Sequence, residues 1–90
     1  MKLLQCLSCY DVFNLTYEVK ECRCGETRGK YLPDGVVAVY SGYALPLGIN
    51  NLSLHQAHLN QPEEGSGVRF DAFVVPKECP TFREVDYVYE

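Results

Sequence analysis

Cys6-Leu-Ser-Cys9, twelve residues from Tyr10 to Glu21, then Cys22-Arg-Cys24-Gly25: this stretch decides how the rest of the chain is read. Each cysteine pair is short enough to sit on one tight turn, so both sulfurs of a pair can face the same ion. Zinc takes four ligands in a tetrahedron and thiolates suit it, which makes Cys6, Cys9, Cys22 and Cys24 the ligands of one structural Zn2+. The second pair has a single residue between its cysteines, where two to four is usual. Gly25 follows directly and tolerates the positive φ that so tight a turn calls for. The competing readings are a disulfide pair, four unrelated thiols, or a redox Cys-x-x-Cys at Cys6 and Cys9. The last needs a βαβ setting, which the hydrophobic pattern does not supply.

Ninety residues fit one domain, 1–90. A chain this small buries limited surface, so a metal staple would help hold it together. The net charge is −4 and unevenly spread: residues 1–30 carry five Lys/Arg against four Asp/Glu, and residues 31–90 carry three against eight. Four thiolates on one dication make the balance more acidic still. Such a chain lacks the electrostatic footprint of a nucleic-acid binder. No apolar run is long enough for a bilayer, and Lys2-Leu3-Leu4 is too short for the core of a signal peptide. The expectation is therefore a cytoplasmic protein, in a compartment where thiols bind metal rather than each other.

Outward from the cysteines, residues 2–5 read as a short strand entering the first turn. Phe13, Leu15, Tyr17 and Val19 alternate with Asn14, Thr16, Glu18 and Lys20, the period of a half-buried strand that carries the chain to Cys22. Residues 26–31 form a third strand, Leu32-Pro-Asp-Gly35 a turn, and Val36 to Tyr40 the returning strand of a hairpin. Gly42, Pro46 and Gly48 mark residues 41–48 as loop. Asn50 or Asn51 caps a helix over 51–60, whose apolar positions Leu52, Leu54, Ala57 and Leu59 make an imperfect stripe. A turn-rich segment, 61–67, leads to a strand over 68–75 covered on both faces near its end. The last strand, 82–89, sets Val85, Tyr87 and Tyr89 on one face and Glu84, Asp86 and Glu90 on the other, an acidic edge. The fold class is β-rich α+β: N-terminal cysteine-bearing hairpins continuing into a small antiparallel sheet with one short helix.

The order strand, cysteine turn, strand, cysteine turn over about residues 3–40 resembles the zinc-ribbon family in the broad sense. The resemblance implies that Cys6, Cys9, Cys22 and Cys24 take the ligand positions and that the helix and C-terminal strands, 50–90, are additions. It implies little about activity, because ribbons serve many functions. The shortened second turn departs from the common form and leaves its geometry open. Gly29-Lys-Tyr-Leu-Pro-Asp-Gly35, Tyr40-Ser-Gly42 and Pro46-Leu-Gly-Ile-Asn-Asn-Leu-Ser53 are similar to segments of small uncharacterised zinc-ribbon proteins of bacteria and tailed phages. That likeness implies a stand-alone small protein, and for a phage-encoded one an accessory role in the host cytoplasm such as inhibiting a host-defence protein.

A four-cysteine zinc has no open position for water, so an enzyme is not expected. His55 and His58 share a helix face but lack further ligands, and Cys79, the fifth cysteine, reads as an inert thiol. Arg23, Arg28, Lys30 and Tyr31 form a local basic cluster that, with Asn50 and Asn51 at the helix start, could hold a nucleotide or other anion. The plainer reading is a solvated surface with ion pairs to Glu21 and Glu26. Seven tyrosines are more than one small core absorbs, and Tyr40, Tyr43, Tyr87 and Tyr89 are the candidates for an interface. The leading functional expectation is a protein-interaction module, self-associating or with another protein partner. The alternative is a small-ligand binder using the basic cluster.

Overall fold

The computed structural model describes residues 2–89. Two four-stranded sheets share the chain. The first is built from β1 (Lys2–Cys6), β2 (Val12–Asn14), β6 (Ala44–Ile49) and β7 (Ala72–Val74) in the order β2-β1-β6-β7. The second is built from β3 (Lys20–Glu21), β4 (Arg28–Tyr31), β5 (Ala38–Ser41) and β8 (Phe82–Glu84) in the order β3-β4-β5-β8. The helix α1 (Asn51–Leu59) follows β6. All pairings are antiparallel except β5 with β8, which is parallel; the fold is the β-rich α+β class with one short helix, its strands divided between two sheets.

The core joins the two sheets. Leu4 of β1, Ala38 and Tyr40 of β5 and Phe82 of β8 pack with Leu15 and Val75, and the Phe82 ring meets Tyr40 edge-on at 5.4 Å. The β4–β5 hairpin forms as its turn chemistry dictates. Gly35 donates to the Leu32 carbonyl, and the Asp34 carboxylate accepts from the amides of Val36 and Val37, which hold its pKa below the ordinary value.

Four expectations are corrected. The alternating stretch 13–20 is not one strand: β2 ends at Asn14 in the first sheet and β3 begins at Lys20 in the second. The intervening bend is what lets the chain pass between sheets, and it leaves Tyr17 exposed where alternation would bury it with Leu15. Residues 41–48 are not loop; they end β5 and contain most of β6, which pairs along five residues of β1. Pro46 is tolerated there for a geometric reason. Its carbonyl accepts from Val75, so its missing N–H also points to the β7 side, just beyond the register that starts at Leu47.

The strand expected over 68–75 shortens to Ala72–Val74, and these three residues are exposed; only Val75 is buried. The last strand ends at Glu84. Beyond it Val88, not Tyr87 or Tyr89, enters the core region, at 2% exposed, while its amide donates to Ser41 Oγ. The placement of Glu90 on an acidic edge lies outside the described residues. The helix matches expectation, with Asn50 Oδ1 accepting from the Ser53 amide at its start. Its apolar stripe divides: Leu54 and Ala57 are half-buried beside the 61–70 segment, and Leu52 and Leu59 point outward.

Candidate metal centre

Cys6 is the last residue of β1, and the chain turns back at once. The Tyr10 amide donates to the Cys6 carbonyl at 2.8 Å, and the amides of Ser8 and Cys9 point at Cys6 Sγ from 3.4 and 3.5 Å. The second turn connects β3 to β4. Here the Gly25 amide donates to the Cys22 carbonyl at 3.1 Å, and the Thr27 amide points at Cys22 Sγ from 3.3 Å. The residue after each pair has left-handed backbone, Tyr10 at φ 63° and Gly25 at φ 81°. The two turns are thus similar in design although one has two intervening residues and the other has one. Asp11 locks them together: its Oδ2 accepts from the Arg23 amide at 2.9 Å while its carbonyl accepts from the Cys6 amide.

The four sulfurs lie within 4.8 Å of one another, and could hold a metal ion. Cys6 and Cys24 sulfurs are 3.7 Å apart, and Cys22 and Cys24 sulfurs 3.5 Å. A tetrahedral zinc with Zn–S of about 2.3 Å sets its sulfurs about 3.8 Å apart, whereas a disulfide needs about 2.05 Å. The spacing fits ligands of one ion, and all five cysteines are free thiols. Cys6 and Cys22 are buried, Cys9 is half-buried and Cys24 is exposed, so the site opens on the Cys24 side.

The surroundings favour thiolate at Cys6 and Cys22. The Thr27 hydroxyl, then the amides of Cys9 and Ser8, draw the Cys6 thiol down to about 6 against the effect of its burial. Burial pushes Cys22 up, but the Thr27 amide and the neighbouring Cys24 outweigh it and the net direction is down. Cys24 receives the Glu26 amide, which favours its thiolate, yet desolvation and three neighbouring sulfurs push it up to about 12. So many sulfurs at this spacing resist ionising together without a cation among them. Thr27 itself is completely buried, and among the described residues its hydroxyl completes no hydrogen bond of good geometry. Its influence falls on Cys6, whose thiolate it favours. Sequence reasoning missed Thr27, because a lone threonine outside the cysteine pairs carries no pattern.

The other candidate residues are dispersed or already engaged. Arg28 pairs with Glu21, donates through Nε to the Val88 carbonyl at 3.1 Å and stacks over the Tyr87 ring at 4.9 Å. Lys30 Nζ donates to the Tyr89 carbonyl at 2.8 Å. These cations therefore hold the C-terminal segment. Arg23 is exposed on the second cysteine turn, and Tyr31 packs near the Tyr17 ring at 6.1 Å. Asn50 caps α1, and Asn51 is its exposed first residue. Among the interface candidates Tyr40 is a core residue, 6% exposed, and its burial raises its pKa. Tyr43, Tyr87 and Tyr89 are exposed, the last two in edge contact at 4.8 Å. Among the described residues His55 and His58 join no group of three or more metal-ligating side chains. Cys79 is half-buried against the core with its sulfur 3.4 Å from Thr81 Oγ1. Among the described residues no helix is long and apolar enough to cross a membrane. No family model matches the chain, and no curated protein or solved structure matches it, so its likeness to zinc ribbons rests on the four cysteines and the turns that carry them.

Proposed function

We propose that this chain is a small binding module, built around one structural zinc and acting through contact with another protein chain. The observation that carries the reading is the four-sulfur cluster with amides aimed at Cys6 and Cys22. Four thiolates fill a tetrahedral zinc and leave no position for water, so the ion's role is to hold the fold. Binding is supported by the surface: Tyr43, Tyr89, Leu52, Leu59 and Val74 are each more than half exposed. The anion-binding alternative loses its main charges to Glu21 and to the carbonyls of Val88 and Tyr89.

Native mass spectrometry of gently isolated protein tests both halves. One zinc per chain in a complex with a second polypeptide is the expected result. A metal-free chain would remove the first half, and a strictly single chain that captures no protein would remove the second.

A further inference from the structure

Tyr40 carries a polar atom into an apolar place. The strand period sets it with Ala38 on the inward side of β5, where it packs in the apolar cluster against Phe82. It is 6% exposed, and among the described residues its hydroxyl makes no hydrogen bond. A buried hydroxyl without a partner costs stability. Phenylalanine would fill the same space without that cost, so the oxygen calls for a partner from outside the described chain. Burial, and then the charge of Glu84, raise its pKa, so the group is a neutral phenol that can both donate and accept.

Tyr40 lines a cleft of about 440 Å³, within the range of about 300–1,000 Å³ that small ligands occupy. Residues of both sheets line it, where β6 begins and where β7 and β8 end. Its buried part is Tyr40, Pro46 and Val75, and the half-buried Leu7, Ala44 and Leu45 continue the apolar lining. Two exposed charges of opposite sign complete it, Lys77 just past β7 and Glu84 at the end of β8. Among the described residues neither charge is in an ion pair. An apolar cleft with a few polar groups, one of them buried and unsatisfied, is the usual form of a small-molecule site.

We propose that this cleft binds a small zwitterion with an aromatic body, an amino acid of the tryptophan kind. The apolar lining takes the ring, Lys77 takes the carboxylate and Glu84 takes the ammonium. The Tyr40 hydroxyl meets the polar atom of the ring, an indole N–H in tryptophan, and gains the partner it lacks within the chain. A simple anion or a simple cation would meet one of the two charges and lie beside a like charge. A ligand carrying both signs satisfies both. A pure hydrocarbon would leave the hydroxyl unpaired, which is how a site with a buried polar group discriminates against it. None of the four cysteines lines the cleft, and binding there needs no second polypeptide, so the site goes beyond the protein contact proposed above.

Isothermal titration calorimetry of the full, zinc-loaded chain with L-tryptophan tests it. A dissociation constant of about 0.1–1 mM is expected for a ligand of this size. Tryptamine lacks the carboxylate and indole-3-propionate lacks the ammonium, and each is expected to bind about threefold more weakly. Lys77→Gln should remove the preference over tryptamine, and Glu84→Gln the preference over indole-3-propionate. Tyr40→Phe should weaken L-tryptophan about fivefold and leave L-phenylalanine unchanged. Its thermal stability should be at least that of wild type, since the hydroxyl has no partner to lose. Should Tyr40→Phe lose its fold or its zinc, the two exposed substitutions carry the test alone. Folded wild type that does not bind L-tryptophan overturns the site, and so does binding that the substitutions leave unchanged. Either failure leaves the zinc-held protein-interaction reading standing, because that reading is judged by metal content and captured polypeptide.

Discussion

Thr27 is the residue on which the cysteine site makes its clearest demand. It is fully buried between the second cysteine turn and β4, its amide serves Cys22, and its hydroxyl is the largest influence lowering the Cys6 thiol. A buried hydroxyl without a good partner costs stability unless something nearby gains from it. A thiolate held by a cation is such an acceptor, and outer contacts of this kind commonly change metal affinity about 10- to 100-fold. Thr27→Val keeps the shape and the amide and removes only the hydroxyl. Competition with a calibrated chelator is expected to show zinc binding weakened about tenfold, with the stoichiometry still one per chain. Unchanged affinity would mean that the hydroxyl is merely tolerated.

At the scale of elements, two glycines separate the demands of a turn from those of a crossing. Gly25 closes the second cysteine turn at φ 81°, and a Cβ there meets nothing nearer than Glu21 Oε2 at 3.7 Å. Gly42 joins β5 of one sheet to β6 of the other at φ 99°, and a Cβ there would stand 2.1 Å from the Glu26 carbonyl oxygen. Gly25→Ala should therefore cost only the left-handed backbone, about 1 kcal/mol, and Gly42→Ala about 3 kcal/mol because the backbones must move apart. Chemical denaturation of the two zinc-loaded variants checks the order; equal losses would contradict it. The same crossing explains what the sequence hid. Glycine and proline at 42, 46 and 48 are loop signals by composition, but here they serve a sheet change and a central strand. Period two in 13–20 reports which side chains face inward locally and says nothing about which sheet each half joins. The cysteine turns, the Leu32–Gly35 turn and the Asn50 cap were legible because each depends on neighbours a few residues away. The destinations of Arg28 and Lys30 were not, because their partners lie about sixty positions along the chain.

For the whole molecule the position of the sulfurs matters more than their number. Cys6 ends a strand of the first sheet, while Cys22 and Cys24 sit between two strands of the second, so an ion held by all four ties the sheets together at one end. A second tie is the cluster around Leu4, Tyr40 and Phe82, a small core for ninety residues. A structural zinc contributes about 10–16 kcal/mol of apparent binding free energy, against a total stability of about 5–15 kcal/mol for an ordinary domain. With a core this small, a term of that size at the four cysteines would decide the balance. A strong chelator at neutral pH is accordingly expected to abolish the cooperative thermal transition and the near-ultraviolet circular dichroism of the tyrosines, and added zinc to restore both. Both sheets should go together, since Tyr40 of the second packs in one cluster with Leu4 of the first. If the chelated chain instead kept its tyrosine signal and a sharp transition, the apolar cluster alone would suffice, and the four cysteines would be a binding site carried by the fold and not its foundation.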